Sequence, residues 1–173
     1  MKDMKAIIDA LVFVSEFPLT VDKIREVLGE VERKEIRGVL RDLMKEYDDR
    51  NGGFSLVEIA GGFQFRTRTD LAIWIKKLKG IKPMMLTQAA IETLAVVAYR
   101  QPVVKSEIDR IRGVDVGGAL KGLMEKKLVR IVGRKDVPGR PILYGTTKKF
   151  LELFNLKNLS ELPTLRELKE LGE

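Results

Sequence analysis

The sequence predicts a mostly α-helical protein with small β-hairpins, an α+β chain made of two tandem winged-helix domains. Three observations lead there. Helical periodicity comes in blocks of three, each block is followed by two short strand-forming runs, and the whole order is written twice with matching landmarks.

In the first half, Met4, Ile7, Ile8, Leu11 and Val12 form one stripe of a helix over about 4–16. "FPLT" then makes a turn in which Thr20 can cap a short helix at Val21–Leu28. A third helix is expected from Arg33 to about Tyr47, with Ile36, Val39, Leu40, Leu43 and Met44 facing inward. "DDRNGG" is dense in turn residues, and "FSLVEIAGGFQFRT" reads as a hairpin joined at Gly61-Gly62, followed by a helix over about 70–78.

The second half repeats this. Thr87 precedes a helix at Gln88–Arg100, "QPV" stands where "FPL" stood, and helices are expected over 105–111 and 116–127. "RIVGRKDVPGRPILYGTT" supplies the second hairpin, and Thr146 or Thr147 caps a helix over about 148–156. Pro18 and Ile24 recur 84 residues later as Pro102 and Ile108, and "RGVLRDLM" recurs 80 later as "GGALKGLM". The four-residue difference falls in a turn, where insertions are tolerated. Three helices plus a hairpin are the parts of a winged helix. The expected divisions are a domain over 1–80, a second over 81–158 and a partly helical tail over 159–173, where "TLRE" matches a capping box. "LKGIKPMMLT" marks the joint, since Gly80 and Pro83 interrupt helical patterning.

Composition removes several kinds of chemistry. The 173 residues hold no cysteine and no histidine. Disulfides, thiolate or imidazole metal sites and His- or Cys-based catalysis are thereby excluded. No carboxylate or lysine constellation takes their place, so neither an enzyme nor a cofactor or metal site is expected. No apolar run reaches the roughly 18 residues of a membrane span, and "MKDMKAIIDALVF" lacks the continuous apolar segment of a secretory signal. The expected address is the cytoplasm.

The net charge of +7 is uneven. Residues 81–173 carry 17 Lys/Arg against 11 Asp/Glu, and the stretch 121–149 holds nine basic residues against Glu125 and Asp136. Nucleic acid is therefore a candidate partner. Sequence-specific readout argues against itself, because Gly117, Gly118 and Gly122 stand where the third helix of the second domain would carry base-reading side chains. Glycines there permit close approach by another backbone. What remains for DNA is weak, sequence-blind contact by Lys135, Lys148 and Lys149, or simply a solvated basic face. A tandem winged-helix transcriptional regulator is the alternative reading. The 88–100 helix is apolar nearly all round, so either another element of this chain or another chain covers it. Phe13, Val14 and Phe17 widen the first helix's stripe beyond one core and mark a candidate homodimer surface.

Taken together in order, "LTQAAIETLAVVAYRQPV", "EIDRIRGVDVG", "GR…PGRPILYGTTKKFLELFNL" and "LSELP" resemble the segregation and condensation protein B family, a component of the bacterial SMC condensin complex. The similarity runs from about Met4 to Leu168, with "FNL" replacing the more usual "FGL". The resemblance implies a non-catalytic, nucleoid-associated homodimer, paired mainly through the first domain. It also implies that the second domain binds the kleisin ScpA, and through it the SMC protein, in chromosome condensation and segregation. On that footing the candidate kleisin contacts are Tyr99, Arg100, Arg112, Arg134, Arg140 and Tyr144. Pro138 and Pro141 stiffen the loop between the strands, Arg134 and Arg140 can pair with carboxylates, Tyr144 offers a ring with a polar tip, and Arg112 either braces the wing or meets the partner.

Overall fold

A computed structural model describes residues 3–80, 85–164 and Glu167. The chain divides into two compact units, Met1–Lys82 and Pro83–Glu173.

Unit 1 begins with α1 (Met4–Val14), α2 (Val21–Leu28) and α3 (Arg33–Asp49). Thr20 accepts from the Lys23 amide and so starts α2. Ile8 and Val12 of α1, Ile24 of α2, and Ile36, Leu40 and Leu43 of α3 are buried together with Leu56 and Phe63 from the strands. Ile7, expected inside, lies 40% exposed, so the buried stripe of α1 is narrower than its apolar spacing implies. Strands β1 (Phe54–Ile59) and β2 (Gly62–Thr67) pair antiparallel in register from Phe54↔Thr67 to Ile59↔Gly62. The two residues between them are Ala60 and Gly61, both at positive φ as a primed hairpin turn requires. The turn thus sits one residue earlier than the Gly61-Gly62 expected from sequence. A 3-10 turn at Thr69–Leu71 leads into α4 (Ala72–Lys79).

Gly62 is held inside β2 for a steric reason. A Cβ there would lie 2.7 Å from the backbone carbonyl of Pro18. The α1–α2 connection crosses the strand so closely because Leu19 and Phe63 exchange backbone hydrogen bonds of 2.8 and 2.9 Å.

Unit 2 has the same order: α5 (Gln88–Arg100), the two-residue strand β3 (Val103–Val104), α6 (Lys105–Arg112), α7 (Gly117–Glu125), β4 (Val129–Arg134), β5 (Ile142–Thr146) and α8 (Lys148–Leu153). Here the crossing connection is a true strand, and the sheet order is β3-β5-β4. Thr87 and Thr147 cap α5 and α8 through the Ala90 and Phe150 amides. The core contains Leu94, Val97, Val103, Ile108, Leu120, Leu123, Leu128 and Phe150. Gly145 is also closely surrounded, but by side chains: a Cβ there would meet Val132 Cγ1 at 2.8 Å and Gln101 Oε1 at 2.9 Å. Gln101 uses that space to tie the end of α5 to β5, its Oε1 accepting from the Thr146 amide at 2.8 Å while its Nε2 donates to the Ala98 carbonyl at 3.1 Å. In the tail, Thr164 and Glu167 form the reciprocal capping bonds read from "TLRE", and the residues that would extend that helix lie outside the described ones.

Gly62→Ala is expected to destabilise unit 1 by about 1–3 kcal/mol, as overpacking against backbone does. Gly61→Ala, which meets open space but sits at φ 76, costs only the backbone term of about 1 kcal/mol. Urea denaturation of the two variants separates the mechanisms; equal midpoints would mean that the close crossing does not constrain the fold.

Candidate functional site

The wing of unit 2 is a tethered basic loop. Between β4 and β5 the chain closes through the Lys135 amide to the Pro141 carbonyl and the Arg140 amide to the Val137 carbonyl, both 2.9 Å. Arg134 Nη1 donates to the Arg140 carbonyl at 3.1 Å. Gly139 and Arg140 both take positive φ, 82° and 39°. For arginine that region is strained by about 1–2 kcal/mol, and the flanking prolines and tethering bonds hold it there. Arg140 is therefore displayed at the loop with its backbone engaged and its guanidinium exposed, without an ion pair among the described residues. Arg134, by contrast, spends one guanidinium nitrogen on the loop itself. Lys135 reaches back to Glu107 on α6 at 2.8 Å. That hydrogen bond holds the Glu107 carboxyl below the usual carboxylate range. Tyr144, on the central strand β5, is half-buried and packs against the core of unit 2.

Helix α5 gives the unit its apolar outer face. Thr93, Leu94, Val97 and Ala98 point inward. On the other side Ile91 is 47% and Tyr99 42% exposed, with exposed Ala95 between them at helical spacing. The Tyr99 hydroxyl donates to the Pro163 carbonyl at 2.7 Å, fastening the segment after α8 to the end of α5. Arg100 follows, exposed. Arg112 Nη1 pairs with Glu92 of α5, and its side chain is 19% exposed. Arg112 thus braces α6 to α5, where sequence reasoning had considered a brace to the wing. On α7, Gly118 and Gly122 open onto free space, so internal packing does not require glycine at either position.

Unit 1 presents a different chemistry. Phe13, Val14 and Phe17 are 73%, 72% and 69% exposed. Phe13 meets Phe65 edge-on at 6.4 Å, and Phe65 stacks edge-on against Tyr47 at 4.7 Å and Phe54 at 5.6 Å. Beside these rings, Ala6, Ile7, Ala10, Leu11 and Val14 line an apolar groove along α1, with Asp3 at one end. The exposed Ile7 therefore belongs to this outer face.

Comparison with known proteins places the chain. The model of the family "Segregation and condensation complex subunit ScpB" matches residues 6–165. The chain belongs to the ScpB family. Segregation and condensation protein B of Syntrophotalea carbinolica is 47% identical over 169 residues, covering 98% of this chain and 85% of that relative. The Myxococcus xanthus protein of the same name is 48% identical over 170 residues, and this chain spans about half of its length, 51%. Among solved structures, ScpB from Mycobacterium tuberculosis matches 89% of this chain and 96% of its own, at 32% identity and a TM-score of 0.42. A dimer of the ScpB N-terminal domain complexed with ScpA peptide matches 44% of this chain and 95% of its own, at 35% identity and a TM-score of 0.40.

Membership makes the chain a subunit of a segregation and condensation complex. Ile91 and Ala95, which sequence reasoning did not single out, extend the exposed face ending in Tyr99. The signal was present in the all-round apolarity of α5, but periodicity does not say which side a domain leaves uncovered. The Lys135–Glu107 pair joins residues 28 apart and has no local signature.

In Lys135→Ala the Glu107 carboxyl is expected to titrate at higher pH, nearer an ordinary glutamate, in a carboxyl NMR titration. A depressed native pKa contributes stability above the unfolded value and loses it as pH falls through the native one. The stability gap between parent and variant should therefore be present at neutral pH and close on acidification; a gap that persists in acid would assign it to something other than this pair.

Proposed function

We propose that the protein is a non-enzymatic subunit of an SMC–ScpA–ScpB condensin. In this reading it works as a homodimer that binds the kleisin ScpA and thereby modulates the SMC ATPase and DNA cycle in chromosome condensation and segregation. Unit 1 supplies the dimerisation surface through Phe13, Val14 and Phe17. Unit 2 takes the ScpA segment on α5 and the wing, with Arg100 and Arg140 as unpaired cations for its carboxylates. The SMC protein is reached through ScpA, and the complex sits on the nucleoid in the cytoplasm.

The observation that carries this reading is the uncovered Ile91–Ala95–Tyr99 stripe in a chain whose family is a complex subunit. An apolar helical stripe edged by cations suits an amphipathic polypeptide better than a small-molecule substrate. Exposed Phe13 on α1 and Phe17 just after it likewise suit a protein interface, where aromatic anchors concentrate binding energy. Strain at Arg140 is consistent with a binding role, since a non-glycine residue is held at φ 39° on an exposed loop. Neither third helix suits base readout: α7 carries Gly117, Gly118 and Gly122, and exposed acids and bases alternate along α3.

Arg140→Glu is expected to weaken binding of a central ScpA fragment about tenfold or more, the range of an interface anchor, with the thermal unfolding midpoint unchanged. Tyr144→Phe, which preserves core packing, isolates any contribution of its hydroxyl. Titration calorimetry reads both, and unaltered ScpA affinity would remove these residues from the site. Phe13→Asp/Phe17→Asp is expected to halve the mass seen by light scattering during size-exclusion chromatography, while ScpA binding by unit 2 persists. A gel-shift series separates the transcriptional-regulator reading, which requires one preferred duplex sequence.

A further inference from the structure

Two sets of cations in unit 2 contrast with one another. On one side each has an acidic partner: Lys105 pairs with Asp109 and Asp115, Arg112 with Glu92 and Lys135 with Glu107. On another, Lys126, Lys127, Arg130, Lys148 and Lys149 are all exposed and form no ion pair among the described residues. The fold brings these five together. Lys126 caps the end of α7, and Lys127 turns the chain at φ 59° into β4. The Lys127 carbonyl accepts from Thr147 Oγ1 at 2.6 Å, and the Thr147 amide donates to the Leu128 carbonyl at 3.2 Å. The α7–β4 turn is thereby fixed beside the start of α8, where Lys148 and Lys149 follow directly. Arg130 lies opposite Gly145 in the sheet register, two residues from that junction. The nearest acids in sequence are Glu125 and Glu152, one flanking each end of the cluster.

Five like charges gathered around one junction of the fold repel one another, and none of them is neutralised by a carboxylate among the described residues. We propose that Lys126, Lys127, Arg130, Lys148 and Lys149 form a docking surface for the phosphate backbone of duplex DNA, distinct from the wing and blind to base sequence. The chemistry fits this class of partner. Flexible ammonium groups meet phosphates as point charges, and no planar or amide side chain in the cluster, apart from Arg130, is of the kind that reads base edges. The surface does not depend on the kleisin reading, because it uses neither the α5 stripe nor Arg140.

The test is fluorescence anisotropy of the full chain with two labelled duplexes of unrelated sequence over a salt series. With five phosphates neutralised, affinity for both duplexes should fall together, roughly 500-fold between 50 and 200 mM salt. In Lys148→Glu/Lys149→Glu that fall should shrink to about 40-fold or less, from a weaker starting affinity, because each lost phosphate contact lowers the salt slope by about one. Acidic residues in the first turn of α8 favour the helix dipole, so the variant should remain folded, with its melting temperature as the check. Lys34→Glu/Lys45→Glu, an equal charge change on exposed residues of unit 1, should leave the slope intact. Equal losses in the two variants would reduce the effect to net charge and overturn the proposal. So would an unchanged slope in Lys148→Glu/Lys149→Glu, or a preference for one duplex. Failure here with ScpA binding intact would leave the subunit reading standing.

Discussion

Each unit depends on one close crossing, in which the segment joining its first two helices lies directly across the returning strand of its hairpin. In unit 1 Leu19 and Phe63 exchange backbone bonds; in unit 2 β3 pairs with β5. Without that seam a hairpin would hang from three helices as an appendage, since two strands alone are marginal in water. With it, Phe63 in unit 1 and Tyr144 of β5 in unit 2 pack against the helical core. In unit 1 the requirement falls on Gly62, which has the crossing backbone where a Cβ would sit; in unit 2 Gly145 meets the Val132 and Gln101 side chains instead.

Given that seam, the two copies share an interior and differ on their surfaces. Ile24, Leu40 and Leu43 are buried in unit 1, and Ile108, Leu120 and Leu123 take the same places in unit 2. Outside these cores unit 1 shows linked phenyl rings and an apolar groove, while unit 2 shows an apolar helix stripe, a strained cationic loop and a basic edge. Such a division is available to small repeated folds because an exposed side chain can change at little cost once the core is sealed. In the proposed reading, function then lies in which faces are left uncovered.

Much of this was legible in the residues. Capping threonines at 20, 87 and 147 mark helix starts with a local mechanism, and all three bonds are present. The duplication showed in landmarks at fixed offsets. Long-range terms were what the sequence concealed. Strand β3 is two residues long and exists only through pairing with β5, some forty residues away, so no run of strand formers announces it. Ile7 fits the periodicity of α1 but lies on the flank that α3 does not cover. Arg112 finds Glu92 across two helices, a choice made by packing angle. The hairpin turn falls at Ala60-Gly61 because Gly62 already pairs with Ile59 in the ladder, where Pro18, distant in sequence, lies too close for a side chain.

The hydrogen-bonded carboxylates have a further consequence. Glu46, Asp70, Glu107 and Asp109 are all held below the usual carboxylate range, each chiefly by a bond from a lysine or arginine. The chain has neither imidazole nor thiol. These four carboxylates therefore keep their charge, and their bonds, until the pH falls below the range in which an ordinary carboxylate is protonated. Mobile ions, which screen charges over about 10 Å at 0.1 M, act on the same exposed pairs, so ionic strength weakens them at a pH where protonation does not.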